Sequence, residues 1–269
     1  FLHNLKNEKN MNENKRPLIL ITNDDGYRAK GIKTLTKYLK DIADIIVFAP
    51  DQPHSGMSSA ITSINPLRYF LYKKEENVTT YICNGTPVDC VKLAMSVLER
   101  EPDMIFSGIN HGSNAAISVI YSGTMGAAIE GCIHGIPSVG MSLCDFDPNA
   151  DFSQSGIIAS QIAQRIWKED LPKGICLNVN VPKGDVKGVL IASQTKGKWT
   201  NEFQASKDAM QNDIFWMSGF FDNWEKENKT SDEWALANGY ASVVPVKVDM
   251  THYELIDQLK HWEKEVVTR

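Results

Sequence analysis

Short unbroken apolar runs alternate along the chain with segments whose apolar positions recur every three to four residues. Leu18–Thr22 is apolar or β-branched throughout, the pattern of a strand buried on both faces. Ile32, Leu35, Leu39 and Ile42 follow at helical spacing, and Ile45–Ala49 is a second run, stopped by Pro50. The same reading predicts strands at Thr62–Leu71 and Val78–Cys83, with the charged stretch Lys73–Glu76 as their turn. Further strands are predicted at Met104–Ser107, Ser138–Ser142 and Ile175–Val181. Helices are predicted around Val88, Val91, Met95 and Leu98, over Thr124–His134, and around Ile158, Ile162 and Ile166. This alternation is that of an α/β fold with a doubly wound, mainly parallel sheet.

After about Lys196 the pattern changes. Two longer strands, Ile214–Gly219 and Tyr240–Val248, flank the charged stretch Asp222–Asp232, and a helix closes the chain near Tyr253–Glu265. Three parts are therefore expected: a flexible polar arm at 1–16, an α/β core at 17–196, and a C-terminal extension of hairpin, strand and helix at 197–269. Phe215, Trp216 and Met217, with Phe220, Phe221 and Trp224 close behind, give the extension an aromatic density that water penalises and subunit interfaces favour.

Composition narrows the function. A chain of 269 residues, 42% hydrophobic and 23% charged, is long enough for one large α/β domain with an appendage. Its net charge of −5 argues against a protein that wraps nucleic-acid polymers but leaves small anionic substrates open. No segment approaches the ~18 apolar residues of a membrane helix, and the N-terminal stretch has no apolar leader core. Cys83, Cys90, Cys132, Cys144 and Cys176 form no C-x-x-C and read as reduced and structural. A cytoplasmic protein is expected.

Asp24 and Asp25 stand side by side where the first strand ends. In a parallel sheet, ligands bind beyond the carboxyl ends of the strands. Two such carboxylates repel unless something positive lies between them, and oxygen ligands suit Mg²⁺, Mn²⁺ or Ca²⁺. A simple Asp-Gly turn at Asp25-Gly26 is the competing reading. The second strand runs into Ala49–Ala60, rich in hydroxyls and histidine, and the strand at Met104 runs into Ser107–Ala128, where Gly108, Gly112 and Gly123 let backbone approach a ligand. Ser122-Gly123-Thr124 opens a helix, either as a cap or as a phosphate cradle. Three polar, Gly-rich loops at one sheet edge favour a phosphate-plus-metal site over any of the isolated readings.

The segments "NDDG", "APDQPHSG", "GTPVDC", "SGINHGSN" and "YSGT", in this order between Ile19 and about Ser142, resemble the SurE (survival protein E) family of metal-dependent nucleoside monophosphate phosphatases. The resemblance extends more weakly through "ALANGYASVVPVKVDMTH" at Ala235–His252. It implies a Rossmann-like core, a homodimer or tetramer with C-terminal extensions exchanged between subunits, and a 5′-nucleotidase acting on nucleoside 5′- and 3′-monophosphates, sometimes on polyphosphate. By position it makes Asp24, Asp25, Ser55 and Asn110 ligands of one divalent cation per subunit, Mg²⁺ or Mn²⁺, with Ca²⁺ acceptable in a crystal. It puts Asn114, Ser122, Gly123 and Thr124 on the phosphate side and matches His252 to a family histidine. His111 and His54 depart from the family pattern.

The mechanism expected from this set holds the phosphate between the cation and the Ser122–Thr124 amides and hydroxyls. The nucleophile is either metal-activated water or an aspartate carboxylate, Asp25 in the latter case, and His252 is a candidate proton donor. Gly85-Thr86-Pro87 reads equally as pocket lining or as a strand–helix turn. A dinucleotide dehydrogenase would need G-x-G-x-x-G after the first strand. A dehalogenase-type phosphatase spaces its acids as D-x-D, and a receiver module is under half this length. A non-catalytic nucleotide sensor stays open on the residues alone.

Overall fold

The computed structural model describes residues 16–265. The chain runs β1 (Leu18–Thr22), α1 (Lys30–Leu39), β2 (Asp44–Pro50), β3 (Tyr69–Glu75), β4 (Val78–Cys83), α2 (Pro87–Val97), β5 (Met104–His111), α3 (Gly123–Ile133), β6 (Ser138–Cys144), α4 (Ser153–Glu169) and β7 (Ile175–Pro182). There follow β8 (Val189–Ile191), β9 (Gly197–Thr200), β10 (Phe203–Lys207), β11 (Asp213–Met217), β12 (Phe220–Asn223), α5 (Asp232–Ala237), β13 (Ala241–Lys247), α6 (Tyr253–Leu259) and α7 (Trp262–Glu265). The main sheet has the order β3-β4-β2-β1-β5-β6-β7-β13-β8. From β4 to β7 every pairing is parallel. β3 and β13 run antiparallel to their neighbours β4 and β7, as the doubly wound, mainly parallel expectation allows.

Every residue of β1 is buried because helices cover both faces. Ile19 and Ile21 pack with Ile32, Leu35 and Leu39 of α1 and with Ile158 and Ala163 of α4. Leu20, on the other face, packs with Cys90 and Val91 of α2 and Ala127 of α3. The strand order turns back on either side of β1, so the loops after β1, β2 and β5 meet at one carboxyl edge.

Several expectations are corrected. Thr62–Leu71 is not a strand: the Thr62 N–H and hydroxyl both donate to the Asp89 carboxylate, and pairing begins only at Tyr69. Lys73–Glu75 lies inside β3 rather than in a turn. β3 is an edge strand exposed on both faces, so charge there costs nothing. β5 runs on to His111, with a register shift between Ser107 and Asn110. The closing helix is two helices, broken after Leu259.

The extension does not lie wholly outside the core. β13 pairs along β7 from Ser242–Asn180 to Lys247–Ile175, and Ala241 and Val243 join the main core. What projects is an arm of two hairpins, β9 with β12 and β10 with β11. On it Phe203, Phe215, Trp216 and Met217 are exposed. The expected N-terminal arm falls outside the described residues except for Arg16, whose guanidinium donates to the Lys40 and Ala43 carbonyls and to Asp44.

Candidate metal and phosphate site

Asp24 and Asp25 leave the buried end of β1 into the space where three loops interlock. The His54 N–H donates to the Asp24 carbonyl at 2.7 Å, and the Tyr27 N–H donates to the Pro50 carbonyl at 3.0 Å, so the loop after β2 lies across the acids and carries Ser55 beside them. That same loop is tied to the third: the Ser58 hydroxyl donates to the Ile120 carbonyl at 2.6 Å. Gly31 of α1 meets the extended end of β5 so closely that a Cβ there would fall 1.9 Å from the Ile109 carbonyl oxygen.

The two acids are held differently. Asp24 is 4% exposed, and its Oδ1 accepts from the Thr124 hydroxyl at 2.6 Å. The carboxylate sits at the N-terminus of α3, close enough that a Cβ on Gly123 would fall 3.2 Å from Asp24 Oδ2. Burial nevertheless pushes the Asp24 carboxyl above its ordinary value, against the lowering effect of Thr124. Asp25 is half-buried, and its Oδ2 accepts only a long bond, 3.4 Å, from the His111 N–H. Burial first, and repulsion from Asp24 second, push Asp25 up to about 6. Among the described residues no lysine or arginine pairs with either acid, and the nearby His54 and His111 offset the burial of Asp24 and Asp25 only in part.

The donor set fits a hard cation. Asn110 spends its amide nitrogen on the Gly112 carbonyl at 2.8 Å, which leaves the side-chain oxygen as its free end. Two carboxylates, an amide oxygen and the Ser55 hydroxyl make an all-oxygen set. Among the described residues no three His, Cys, Asp or Glu side chains gather into a softer site. The buried Asn23 Oδ1 beside the acids has no hydrogen-bond partner, which leaves further polar capacity there.

The residues expected on the phosphate side differ in how their polar groups are engaged. The single proton of the Thr124 hydroxyl goes to Asp24, so in this structure the hydroxyl holds the acid. Ser122 caps α3, its oxygen accepting from the Met125 N–H at 3.0 Å, which leaves its own proton to give. Asn114 is 7% exposed and works as a loop anchor: its N–H donates to Asn180 Oδ1, its carbonyl accepts from Asn178 Nδ2, and its own amide donates to Ser142. Asn178 and Asn180 were missed by the sequence reading. Two asparagines at i and i+2 in "LNVNVP" put two amides on one face of a buried strand, and that was the available signal.

Two further positions are placed by the fold. Thr86 forms a capping box with Asp89 and donates to the Ala60 carbonyl, so Gly85-Thr86-Pro87 is a strand–helix turn. β13 carries the chain away from the acids, to Lys247 opposite Ile175. His252 follows five residues later, exposed at the start of α6 with no capping hydrogen bond, and the chain does not bring it to Asp24 and Asp25.

Comparison with known proteins gives concordant results. The sequence model described as Survival protein SurE matches residues 19–201. A protein named 5′-nucleotidase SurE from Bacteroides fragilis is 50% identical over 253 residues, 93% of this chain and 99% of that protein. One of the same name from Bacteroides thetaiotaomicron is 51% identical over 249 residues, 92% of this chain and 96% of that protein. Among solved structures, the crystal structure of the SurE protein from Aquifex aeolicus superposes with a TM-score of 0.80 at 34% identity, covering 92% of this chain and 100% of that one.

Proposed function

The chain belongs to the SurE family, and on that premise we propose that it is a 5′-nucleotidase, hydrolysing nucleoside 5′-monophosphates to nucleoside and phosphate with one Mg²⁺ or Mn²⁺ per subunit. Nucleoside 3′-monophosphates and polyphosphate are further substrates under this reading. The observation that carries it is the adjacent acid pair at the end of β1: Asp24 is buried against the N-terminus of α3, Asp25 beside it is half-buried and more open, and neither has a lysine or arginine partner among the described residues.

Asp24, Asp25, Ser55 and Asn110 would hold the cation. The cation, when bound, neutralises charge on the phosphoryl oxygens and lets both acids stay ionised. Thr124 fixes Asp24, while Asp25, the more open and more weakly held acid, faces the substrate as nucleophile or as the group that orients water. The Ser122 hydroxyl and the first amide of α3 complete the oxyanion contacts. A proton-donor role for His252 requires the C-terminal tail of a second copy. The exposed aromatic arm supplies the surface for a homodimer or tetramer. Five free cysteines accord with a cytoplasmic location, and among the described residues no helix is long and apolar enough to cross a membrane.

Phosphate release from a panel of nucleoside 5′- and 3′-monophosphates, glucose 6-phosphate, glycerol phosphate and polyphosphate tests the reading. Nucleotides are expected to lead the panel. A sugar phosphate or glycerol phosphate as the best substrate would overturn it.

A further inference from the structure

Phe146 is 78% exposed, yet it stands on a segment that is firmly held. It follows β6 at the same carboxyl edge as the acids. The Asp145 N–H folds back onto the Leu143 carbonyl at 2.8 Å, and the Asp145 carboxylate takes both Lys183 Nζ and the Asp147 N–H at 3.0 Å. Lys30 Nζ reaches across to the carbonyls of Asn149 and Ala150. A large apolar ring is thus presented to water by a loop whose own polar groups are spent on fixing it.

The ring's position is set by Gly112. The Cδ1–Cε1–Cζ edge occupies the place where a side chain at 112 would begin: a Cβ there would fall 2.4 Å from Phe146 Cε1. The φ of +112° at Gly112 independently favours glycine. Gly112 directly follows His111, whose N–H holds Asp25, and lies two residues from Asn110. One residue of backbone, ~3.8 Å from Cα to Cα, therefore separates the acid's anchor from the ring's seat. That places an exposed aromatic face next to the backbone that anchors Asp25, at the same sheet edge, where a substrate carrying its own ring a sugar's length from its phosphate could meet it.

We infer that Phe146 is the platform on which the substrate's nucleobase stacks, an inference that rests on the nucleotidase reading. Every base offers a π-face, so a single aromatic shelf binds nucleotides as a class without selecting among bases by hydrogen bonds. The larger purine ring overlaps it more fully, so purine monophosphates are favoured over pyrimidine ones.

The test compares kcat/KM for adenosine 5′-monophosphate and for ribose 5-phosphate, which lacks the base, in the wild type, Phe146→Ala and Phe146→Tyr. Adenosine binding is measured calorimetrically on the same three proteins. The ratio of the two kcat/KM values is expected to fall about tenfold in Phe146→Ala, as loss of one base–aromatic stack implies, and to recover in Phe146→Tyr. Adenosine affinity should follow the same order. An unchanged ratio with unchanged adenosine binding in Phe146→Ala overturns the inference. A wild type that hydrolyses neither ester overturns the nucleotidase reading instead, and adenosine binding alone then decides the platform: equal affinity in wild type and Phe146→Ala refutes it.

Discussion

The Thr124 hydroxyl donates to Asp24 Oδ1 at 2.6 Å, joining the end of β1 to the start of α3 across a hundred residues of sequence. The bond uses the hydroxyl's only proton and places a carboxylate at a helix N-terminus, where the dipole favours it. Thr124 thereby prepares Asp24 to be an anion in a buried place.

Thr124→Val, equal in shape, removes that partner. The variant is predicted to lose about 1–3 kcal/mol of stability in urea unfolding, the cost of leaving a buried polar group unsatisfied. It should also need about tenfold more Mn²⁺ for half-maximal activity, since groups that orient metal ligands act at this scale. Thr124→Ser is expected to restore both. Unchanged stability and metal requirement in Thr124→Val would show that Asp24 is held by something else.

The acid pair also predicts a pH dependence. Asp24 is raised, and Asp25 is raised from 3.8 to about 6, so both bind protons more tightly in the folded chain than in the unfolded one. The contribution of Asp25 to stability is fully present below 3.8 and is lost as pH rises through about 6, and that of Asp24 is lost in the same direction. A divalent cation supplies the missing charge only when the acids are ionised. The gain in melting temperature from Mn²⁺ over EDTA is therefore predicted to be larger at pH 8 than at pH 5. An equal gain at both would contradict the assignment of these acids as ligands.

The arm makes a third prediction. Removing everything from residue 197 would strip β13 from the main sheet and unfold the core. Replacing residues 203–217 with a short polar turn removes only the β10–β11 hairpin, whose strands pair with each other alone. The intact chain is expected to sediment as a dimer or tetramer at micromolar concentration and the shortened chain as a smaller, folded species. An intact chain that sediments as a monomer would rule the interface out.

Much of this was legible in the sequence for a physical reason. β1, β2 and β7 are buried on both faces and read as apolar runs, and α1 and α4 each show one apolar face. Asp24 and Asp25 were legible because acids at the end of such a strand have to sit at the sheet's ligand-binding edge. The place of β13 was not: pairing with β7 joins residues 62 to 72 positions apart, and nothing local announces it. Nor was the partition of donors among Thr124, Asn114, Asn178 and Asn180, because a hydroxyl or amide next to a phosphate and one next to a buried acid look the same in sequence. Only the packing of α3 on Asp24, and of β7 beside the Ser107–Ala128 loop, decides which is which.

The most direct test of the central claim is phosphate release from adenosine 5′-monophosphate by EDTA-treated protein, with and without added Mn²⁺, in the wild type and in Asp25→Asn. The account predicts no activity in the metal-free wild type, full recovery with Mn²⁺, and loss of at least a hundredfold in folded Asp25→Asn at any Mn²⁺ concentration, as expected when a group acting on the reacting atoms is removed (roughly 10²–10⁴). Hydrolysis that persists in EDTA, or that survives in Asp25→Asn, would contradict it.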